Sequence, residues 1–339
     1  MNPRILIPAC VIAVACGGST NGSRSYQEHS NMLRGVNLAG AEFGDEALPG
    51  VYDKNYTYPT HAEVDYFVTK GMNVFRVPFR WERLEPSIGA EFDPDEHARL
   101  EDIVDYATSR GASVILDPHN YARYGGALIG EGPTAFDFAD FWARLAMLFE
   151  SNPKVLFGLM NEPHEIRAED WLAVANVAIA AIRAAGATNV ILVPGTNWTG
   201  AASWYADWGY GVNADSMQGV VDPADNLAFE LHQYFDLDGS GTSSECVTAT
   251  IGSGRLSYVT EWLRSHHYRG FLGEFGSGRS ATCLSALGDV LGYMDSHADV
   301  WAGWTYWAAG PWWGDNMYSV EPKDGIDKAQ MAVLSRYVP

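Results

Sequence analysis

Short apolar runs alternate with segments of helical periodicity along the chain from residue 32 onward. This order constrains the fold most, because strands that are separated by helices favour parallel pairing. Eight runs have the length and composition of buried strands: Leu33–Leu38, Asn73–Val77, Ser113–Leu116, Val155–Leu159, Val190–Val193, Leu227–Leu231, Gly270–Gly273 and Val300–Tyr306. Helical patterns lie between most of these runs or after the last one: His61–Lys70, Pro94–Arg110, Phe136–Glu150, Ala168–Ala185, Leu256–His267, Ala281–Ser296 and Lys328–Arg336.

Eight strand–helix repeats predict an α/β protein that closes into a single-domain (β/α)8 TIM barrel. A doubly wound open sheet is the alternative, but no Gly-rich phosphate-binding loop follows the first strand. The 339 residues suffice for one barrel and a short leader. No Pro-rich linker follows residue 31. We therefore assign residues 31–339 to one barrel domain.

The first 15 residues have the pattern of a signal peptide. Arg4 precedes an apolar run, Ile5–Ala15, that is too short to span a bilayer. The run ends at Cys16, so it resembles a bacterial lipoprotein signal with Cys16 as the lipidated residue. Cleavage after Ala15 followed by simple secretion is the alternative. Residues 16–30 are rich in Gly, Ser and Asn and predict a flexible tether. The sequence thus predicts a secreted protein or a cell-surface lipoprotein.

Only two cysteines remain once the leader and the predicted lipid site are set aside. The chain has four, and Cys10 lies within the leader. Cys246 and Cys283 remain, and an even pair in an exported domain predicts one disulfide. Two separate buried thiols are the alternative interpretation.

The charge balance narrows the range of partners. Asp and Glu number 42 against 22 Lys and Arg, which gives a net charge of −20. Such a field repels nucleic acids and anionic lipids, so we expect no nucleic-acid partner and membrane contact only through a lipid anchor. The His and acidic residues show no metal-ligand spacing, and we expect neither a metal nor a cofactor. We also expect a monomer.

Chemically capable residues follow six of the predicted strands at their carboxyl ends. In a barrel these ends form one rim, so residues far apart in sequence converge there. Glu162 and Glu274 each follow an apolar run directly. Glycoside hydrolysis typically requires two carboxyl groups that face one cleft. One protonates the leaving oxygen, while the other attacks the anomeric carbon or activates a water. The other rim residues are Arg76, His119, Asn161, His232, Tyr234 and Trp307.

These residues and their neighbours resemble glycoside hydrolase family 5. The resemblance rests on Asn161-Glu162-Pro163, with Arg76 after Asn73-Val74-Phe75, on His119-Asn120, on His232-Gln233-Tyr234 and on Gly273-Glu274-Phe275-Gly276. The stretch Trp304–Trp313 resembles the fungal-type endoglucanases of that family. The resemblance runs from about Arg34 to Trp313 and implies that the barrel is a catalytic domain.

The resemblance implies a retaining endo-β-1,4-glucanase that acts by double displacement on a β-glucan. Glu162 would be the acid/base and Glu274 the nucleophile. Asn161 would bind the sugar 2-hydroxyl, Tyr234 would hold Glu274, and Arg76 would keep Glu274 ionised. His119 and His232 would donate to ring hydroxyls, and Trp307 would form the floor under the reacting sugar.

Tryptophan is abundant, with 12 residues, and flat rings at a cleft stack against the apolar faces of sugars. We predict outer sugar sites at Trp198, Trp312 and Trp313, with Tyr124 as a weaker candidate. Trp204 and Trp208 share the long loop of Trp198.

A mannanase, a xyloglucan hydrolase or a mixed-linkage glucan hydrolase on the same site is the alternative activity. A surface lipoprotein that only binds glycan is the alternative outside enzymes.

Overall fold

Eight parallel strands close into a barrel in the computed structural model, which describes residues 32–339. The strands, numbered here β1 to β8, are Leu33–Leu38, Val74–Phe79, Ser113–Pro118, Val155–Gly158, Ile191–Pro194, Leu227–His232, Gly270–Phe275 and Trp301–Ala309. Neighbours in sequence are neighbours in the barrel, and β8 pairs with β1 to complete the ring. The predicted TIM barrel is confirmed, and the open-sheet alternative is wrong. The predicted signal peptide, Cys16 and the tether 16–30 lie outside the described residues.

The long helices lie between the strands in sequence. They are His61–Thr69, Pro94–Ser109, Ala135–Phe149, Ala168–Ala184, Ile251–Ser265 and Ala281–Ser296. Their apolar faces pack against the outward side chains of the strands and form the main core. Several helices begin at caps that the sequence encodes. Thr134 and Asp137 form a reciprocal capping box, and the Ser280 side chain accepts a hydrogen bond from the Cys283 N–H.

Several predicted boundaries differ from the structure. Six of the eight strands continue one to three residues past their predicted ends. His232, Glu274 and Trp307 therefore lie inside strands rather than in the loops that follow them. The helix predicted from Leu256 begins at Ile251, five residues earlier. The glycines near its start argue against a helix, but Gly252 lies where a Cβ would meet Val290 at 2.6 Å, so close helix packing requires glycine there.

Short elements at the carboxyl rim were absent from the predictions. They include the helices Trp81–Leu84 and Asn213–Ser216 and a small hairpin of Arg123–Tyr124 with Ala127–Leu128. The helix predicted at Lys328–Arg336 is confined to Met331–Leu334. These elements are too short to show periodicity.

The Cα atoms of Cys246 and Cys283 lie 5.2 Å apart, and their Sγ atoms lie at bonding distance, which is the geometry that a disulfide requires. This pair connects the loop after β6 to the first turn of the helix Ala281–Ser296. Between residues 32 and 339 no helix combines the length and the apolar character needed to cross a bilayer.

Candidate active site

Side chains that point into the barrel form layers, because every second residue of a strand faces inward. The lowest layer is apolar and consists of Val74, Ile115, Leu156, Leu192, Ala228 and Phe271. Two residues further along each of these strands stand Arg76, Asp117, Gly158, Pro194, Glu230 and Gly273. A charged layer thus lies directly above an apolar one, inside the barrel.

Arg76 is the centre of the charged layer and is fully buried. It forms ion pairs of 2.9 Å with Asp117 on β3 and of 2.9 Å with Glu230 on β6. Its remaining N–H groups donate to the side-chain oxygens of Asn37 and Asn161. The Glu274 carboxylate lies further away, at 3.7 Å. Arg76 is predicted to keep Glu274 ionised; in the structure its closest charged partners are two other buried carboxylates, Asp117 and Glu230.

Glu162 and Glu274 face each other at the top of this network. One oxygen of each carboxylate and a ring nitrogen of His232 all lie within 4.8 Å of one another. His232 Nδ1 lies 2.8 Å from Glu162 Oε1 and 3.7 Å from Glu274 Oε2. The Tyr234 hydroxyl donates to Glu274 Oε1. Glu274 Oε2 is buried and has no hydrogen-bond partner; Arg76 Nη1 and His232 Nδ1 each lie 3.7 Å from it.

Burial and neighbouring charges shift the pKa values of these groups. Burial raises the pKa of Glu274 to about 7; repulsion from Glu162 adds to this, and attraction to His232 and Arg76 opposes it. Burial disfavours the charged form of His232, but Glu274, Glu162 and Glu230 together raise the pKa of His232 to about 10. The site therefore combines a carboxyl group, Glu274, that titrates near neutral pH with an imidazole, His232, that stays protonated at neutral pH. Shifted pKa values of this kind are expected at a site of acid–base chemistry.

His119 follows Asp117 by two residues, as His232 follows Glu230, but its pKa is shifted in the opposite direction. Its Nδ1 lies 2.8 Å from the Asp117 carboxylate, and its ring stacks on Trp307 at 5.5 Å between centroids. Burial, Arg76 and Arg80 hold the pKa of His119 well below its ordinary value. His119 is therefore neutral, and its Nε2 is a hydrogen-bond acceptor if Nδ1 donates to Asp117.

Asp117 and Glu230 are functional candidates that the sequence reasoning missed. Both stand in apolar strands, two residues before a rim histidine. The period of two along a strand provides the signal, since it places Asp117 on the same face as His119 and Glu230 on the same face as His232. Asn37 was missed as well; its side-chain N–H groups donate to backbone carbonyls of β7 and β8.

A pocket of about 420 Å³ opens beside Glu162 on the side of the long loop after β5. Trp198 and Trp208 line it, with ring centroids 6.1 Å apart. The Trp198 ring also stacks on His164 at 4.8 Å. Asn197, Trp198 and Thr199 all have positive φ, at 54°, 55° and 48°. Strained backbone of this kind persists where the surroundings enforce it, often at ligand sites.

The other aromatic candidates have different surroundings. Trp313 packs edge-on against Trp307 and Phe43, at 5.7 and 6.0 Å. Trp312 is 40% exposed. The Tyr124 hydroxyl donates to a backbone carbonyl and its ring packs on the buried Trp81, so much of its surface contacts protein. Trp204, which shares the loop of Trp198, is fully buried in the core against Trp262.

Within residues 32–339, the metal-ligating side chains converge at one place, the group formed by Glu162, His232 and Glu274. The His232 nitrogen in this group is hydrogen-bonded to Glu162. The charged imidazole that this environment favours is a poor metal ligand, since coordination requires a free nitrogen lone pair.

A barrel with two facing carboxylates and an aromatic-lined cleft at its carboxyl rim is typical of the glycoside hydrolases. The family model for cellulase, glycosyl hydrolase family 5, matches residues 33–310. The chain belongs to this family, as its motifs predicted.

Relatives and solved structures agree with this assignment. The chain is 43% identical over 306 residues to the probable endo-beta-1,4-glucanase B of Aspergillus niger, which covers 90% of this chain and 89% of the relative. It is 44% identical over 294 residues to endo-beta-1,4-glucanase A of Emericella nidulans, covering 86% and 87% of the two chains. The crystal structure of an endo-beta-1,4-glucanase from Xanthomonas axonopodis pv. citri superposes with a TM-score of 0.89, at 47% identity, over 91% of this chain and 100% of that one. A structure of XacCel5A in complex with cellopentaose has the same TM-score at 46% identity, with 91% and 100% coverage.

Proposed function

We propose that this chain is an endo-β-1,4-glucanase that cleaves internal glucosidic bonds with retention, with Glu274 as nucleophile and Glu162 as acid/base. The observation that carries this proposal is the close approach of the two carboxylates, whose nearest oxygens lie within 4.8 Å. Retaining enzymes hold their carboxyl groups about 5–5.5 Å apart, whereas inverting enzymes separate them by about 6.5–9.5 Å to admit a water.

The first step forms a covalent bond between Glu274 and the anomeric carbon. Glu274 attacks that carbon while Glu162 transfers its proton to the glycosidic oxygen, and the bond to the leaving sugar breaks. Burial is the main cause of the raised pKa of Glu274, and repulsion from an ionised Glu162 adds to it; a proton on Glu162 removes only this second contribution.

The second step reverses these roles. Glu162, now a carboxylate, takes a proton from a water that attacks the anomeric carbon, and the bond to Glu274 breaks. Asn161 Nδ2 is buried and has no hydrogen-bond partner, which suits it to bind the sugar 2-hydroxyl. Two inversions at one carbon give net retention.

The resemblance implies that Trp307 lies under the sugar whose glycosidic bond is cleaved. The pocket lined by Trp198 and Trp208 adjoins the acid/base Glu162, so we assign it to the sugars of the leaving group. The family assignment and the cellopentaose bound by XacCel5A support a β-1,4-glucan as substrate.

We also propose that the signal peptide 1–15 directs export of the protein, which is then either anchored through Cys16 or secreted. We propose further that the protein acts as a monomer and that it has a Cys246–Cys283 disulfide.

Product stereochemistry tests the mechanism. We expect proton NMR of cellopentaose hydrolysis to show β-anomers first, with α-anomers appearing only through mutarotation. An initial α-anomer would contradict the roles given to Glu162 and Glu274. Parallel assays on mannan, xyloglucan and barley glucan test the alternative activities, and mannan hydrolysed faster than β-1,4-glucan would overturn the substrate assignment.

Removing the Trp198 ring should weaken binding on the leaving side. We expect W198A to lower kcat/KM on cellopentaose by about 10- to 100-fold, because truncation of a stacked indole forfeits roughly 1.4–2.8 kcal/mol of apolar contact. Cellobiosyl fluoride places a single atom on that side, so its kcat/KM should change little. Tyr205, in the same loop, is 53% exposed against 43% for Trp198, but it does not line the pocket. Y205A is therefore the control, and an equal loss in both variants would contradict the role of Trp198.

A further inference from the structure

The His232 imidazole spans two carboxylates in the barrel interior. Its Nδ1 lies 2.8 Å from Glu162 Oε1, and its Nε2 lies 3.3 Å from Glu230 Oε1. Only the imidazolium carries a hydrogen on both nitrogens and donates to both acids. Glu230 is buried, and the His232 ring contacts both Glu230 and Glu162.

Two glycines make room for the Glu230 carboxylate. A Cβ at position 273 would lie 2.3 Å from Glu230 Oε1 and 2.8 Å from its Cγ. A Cβ at position 158 would lie 3.4 Å from Oε2. Both glycines belong to the same interior layer as Glu230; Gly273 lies on the adjacent strand β7, and Gly158 lies on β4, two strands away on the other side. The barrel thus leaves space for this carboxylate where larger residues would clash with it, and an ion pair of 2.9 Å with Arg76 holds the carboxylate in that space.

The charges around His232 favour its protonated form. The acids that face it are Glu162 from the loop after β4, Glu230 from its own strand, Glu274 from β7 and Asp117 from β3; the cationic or titratable groups are Arg76 from β2 and His119. The acids outweigh burial and raise the pKa of His232 to about 10. Burial alone would raise the pKa of Glu230, but Arg76 and His232 hold it below its ordinary value, so Glu230 is ionised.

We propose that Glu230 is a positioning residue that acts on Glu162 through His232, a role that rests on the assignment of Glu162 as acid/base. Glu230 keeps the imidazolium charged and aims its Nδ1–H at Glu162. When Glu162 gives its proton to the glycosidic oxygen, a carboxylate charge develops on it. The preorganised imidazolium stabilises that charge and keeps both of its own protons.

The matched pair Glu230→Gln and Asp117→Asn tests the proposal. Gln retains an acceptor for Arg76 and His232 and removes only the charge. E230Q should lower kcat/KM on cellopentaose by about 10- to 100-fold, a range typical of groups that orient a catalytic residue. It should lower kcat/KM on 2,4-dinitrophenyl cellobioside by less than about 3-fold, because that leaving group needs little protonation. Asp117 pairs with His119 instead, so D117N should affect both substrates alike.

The outcomes separate this proposal from the proposed function. E162Q must itself discriminate between the two substrates; if it does not, the acid/base assignment is wrong. If E162Q discriminates and E230Q lowers both substrates equally or neither, the role of Glu230 is wrong while the proposed function stands. The role is also wrong if D117N discriminates as E230Q does.

A spectroscopic measurement on the wild type keeps the proposal testable even if E230Q fails to fold. Nitrogen-15 NMR should show His232 as imidazolium up to pH 8. In a folded E230Q, the His232 titration should move down by at least about 1 pH unit, the shift that loss of a nearby opposite charge produces. A neutral His232 in the wild type at pH 7 would overturn the proposal.

Discussion

Glu274→Gln should lower kcat/KM on cellopentaose by at least about 10⁴-fold, the scale of loss expected when a nucleophile is removed. The amide keeps the size of the side chain and the hydrogen bond from Tyr234, but it does not form the glycosyl ester. At 25 °C this loss corresponds to about 5.4 kcal/mol of transition-state stabilisation. Initial-rate measurements with purified, folded protein would check it.

Two further variants sharpen this prediction. In E274A, azide can enter the space of the missing carboxylate and attack in a single displacement, so the product should be the α-glycosyl azide. E165Q is the control, since Glu165 is an exposed loop carboxylate three residues from Glu162 and pairs with Arg123. We expect E165Q to retain activity within about 3-fold, as is usual for an exposed ion pair of small energetic weight. Activity of E274Q comparable to that of E165Q would contradict the nucleophile assignment.

Arg76→Ala should produce the largest loss of stability. It leaves Asp117 and Glu230 buried without the cation that each contacts at 2.9 Å, and breaking a buried ion pair in this way lowers the free energy of unfolding by about 3–5 kcal/mol. For a domain of this size the midpoint of thermal unfolding should fall by roughly 10 °C. Calorimetry on folded protein measures both quantities.

The pH dependence of this loss has a defined sign. Burial already raises the pKa of Asp117 to about 7 although Arg76 lowers it, and Arg76 lowers the pKa of Glu230 as well. Without Arg76, the folded-state pKa values of both carboxyls should rise and lie above their unfolded values. Carboxyls of that kind destabilise the fold increasingly as pH rises through the interval between the two pKa values. The deficit of R76A should therefore be larger at pH 8 than at pH 4.

R264A is the matched control for R76A. Arg264 also has two acidic partners, Glu261 and Asp299, but all three side chains are exposed. Its loss should lower the free energy of unfolding by less than about 1 kcal/mol. If R76A unfolded at the same temperature as R264A, the buried network would not contribute to stability as inferred.

The sequence alone predicted the barrel and most of its rim. Alternation of strands and helices is a local pattern, and each apolar run marks the position of a strand. Glu162 and Glu274 follow such runs directly, so their convergence at one rim follows from topology. The strand ends were placed too early because polar residues such as His232 and Glu274 interrupt the apolar pattern although they continue the backbone pairing.

Only the tertiary structure decided how the charges below the rim are arranged. Asp117-Pro118-His119 and Glu230-Leu231-His232 have the same acid-to-histidine spacing, yet His119 is neutral and His232 is charged. The difference comes from residues distant in sequence: Arg76 and Arg80 act on the first, Glu162 and Glu274 on the second. Likewise, Trp204 is buried while Trp208, four residues later, lines the cleft. Periodicity is a property of neighbours along the chain, whereas the protonation of a buried group depends on all charges within a few ångströms, whichever strand supplies them.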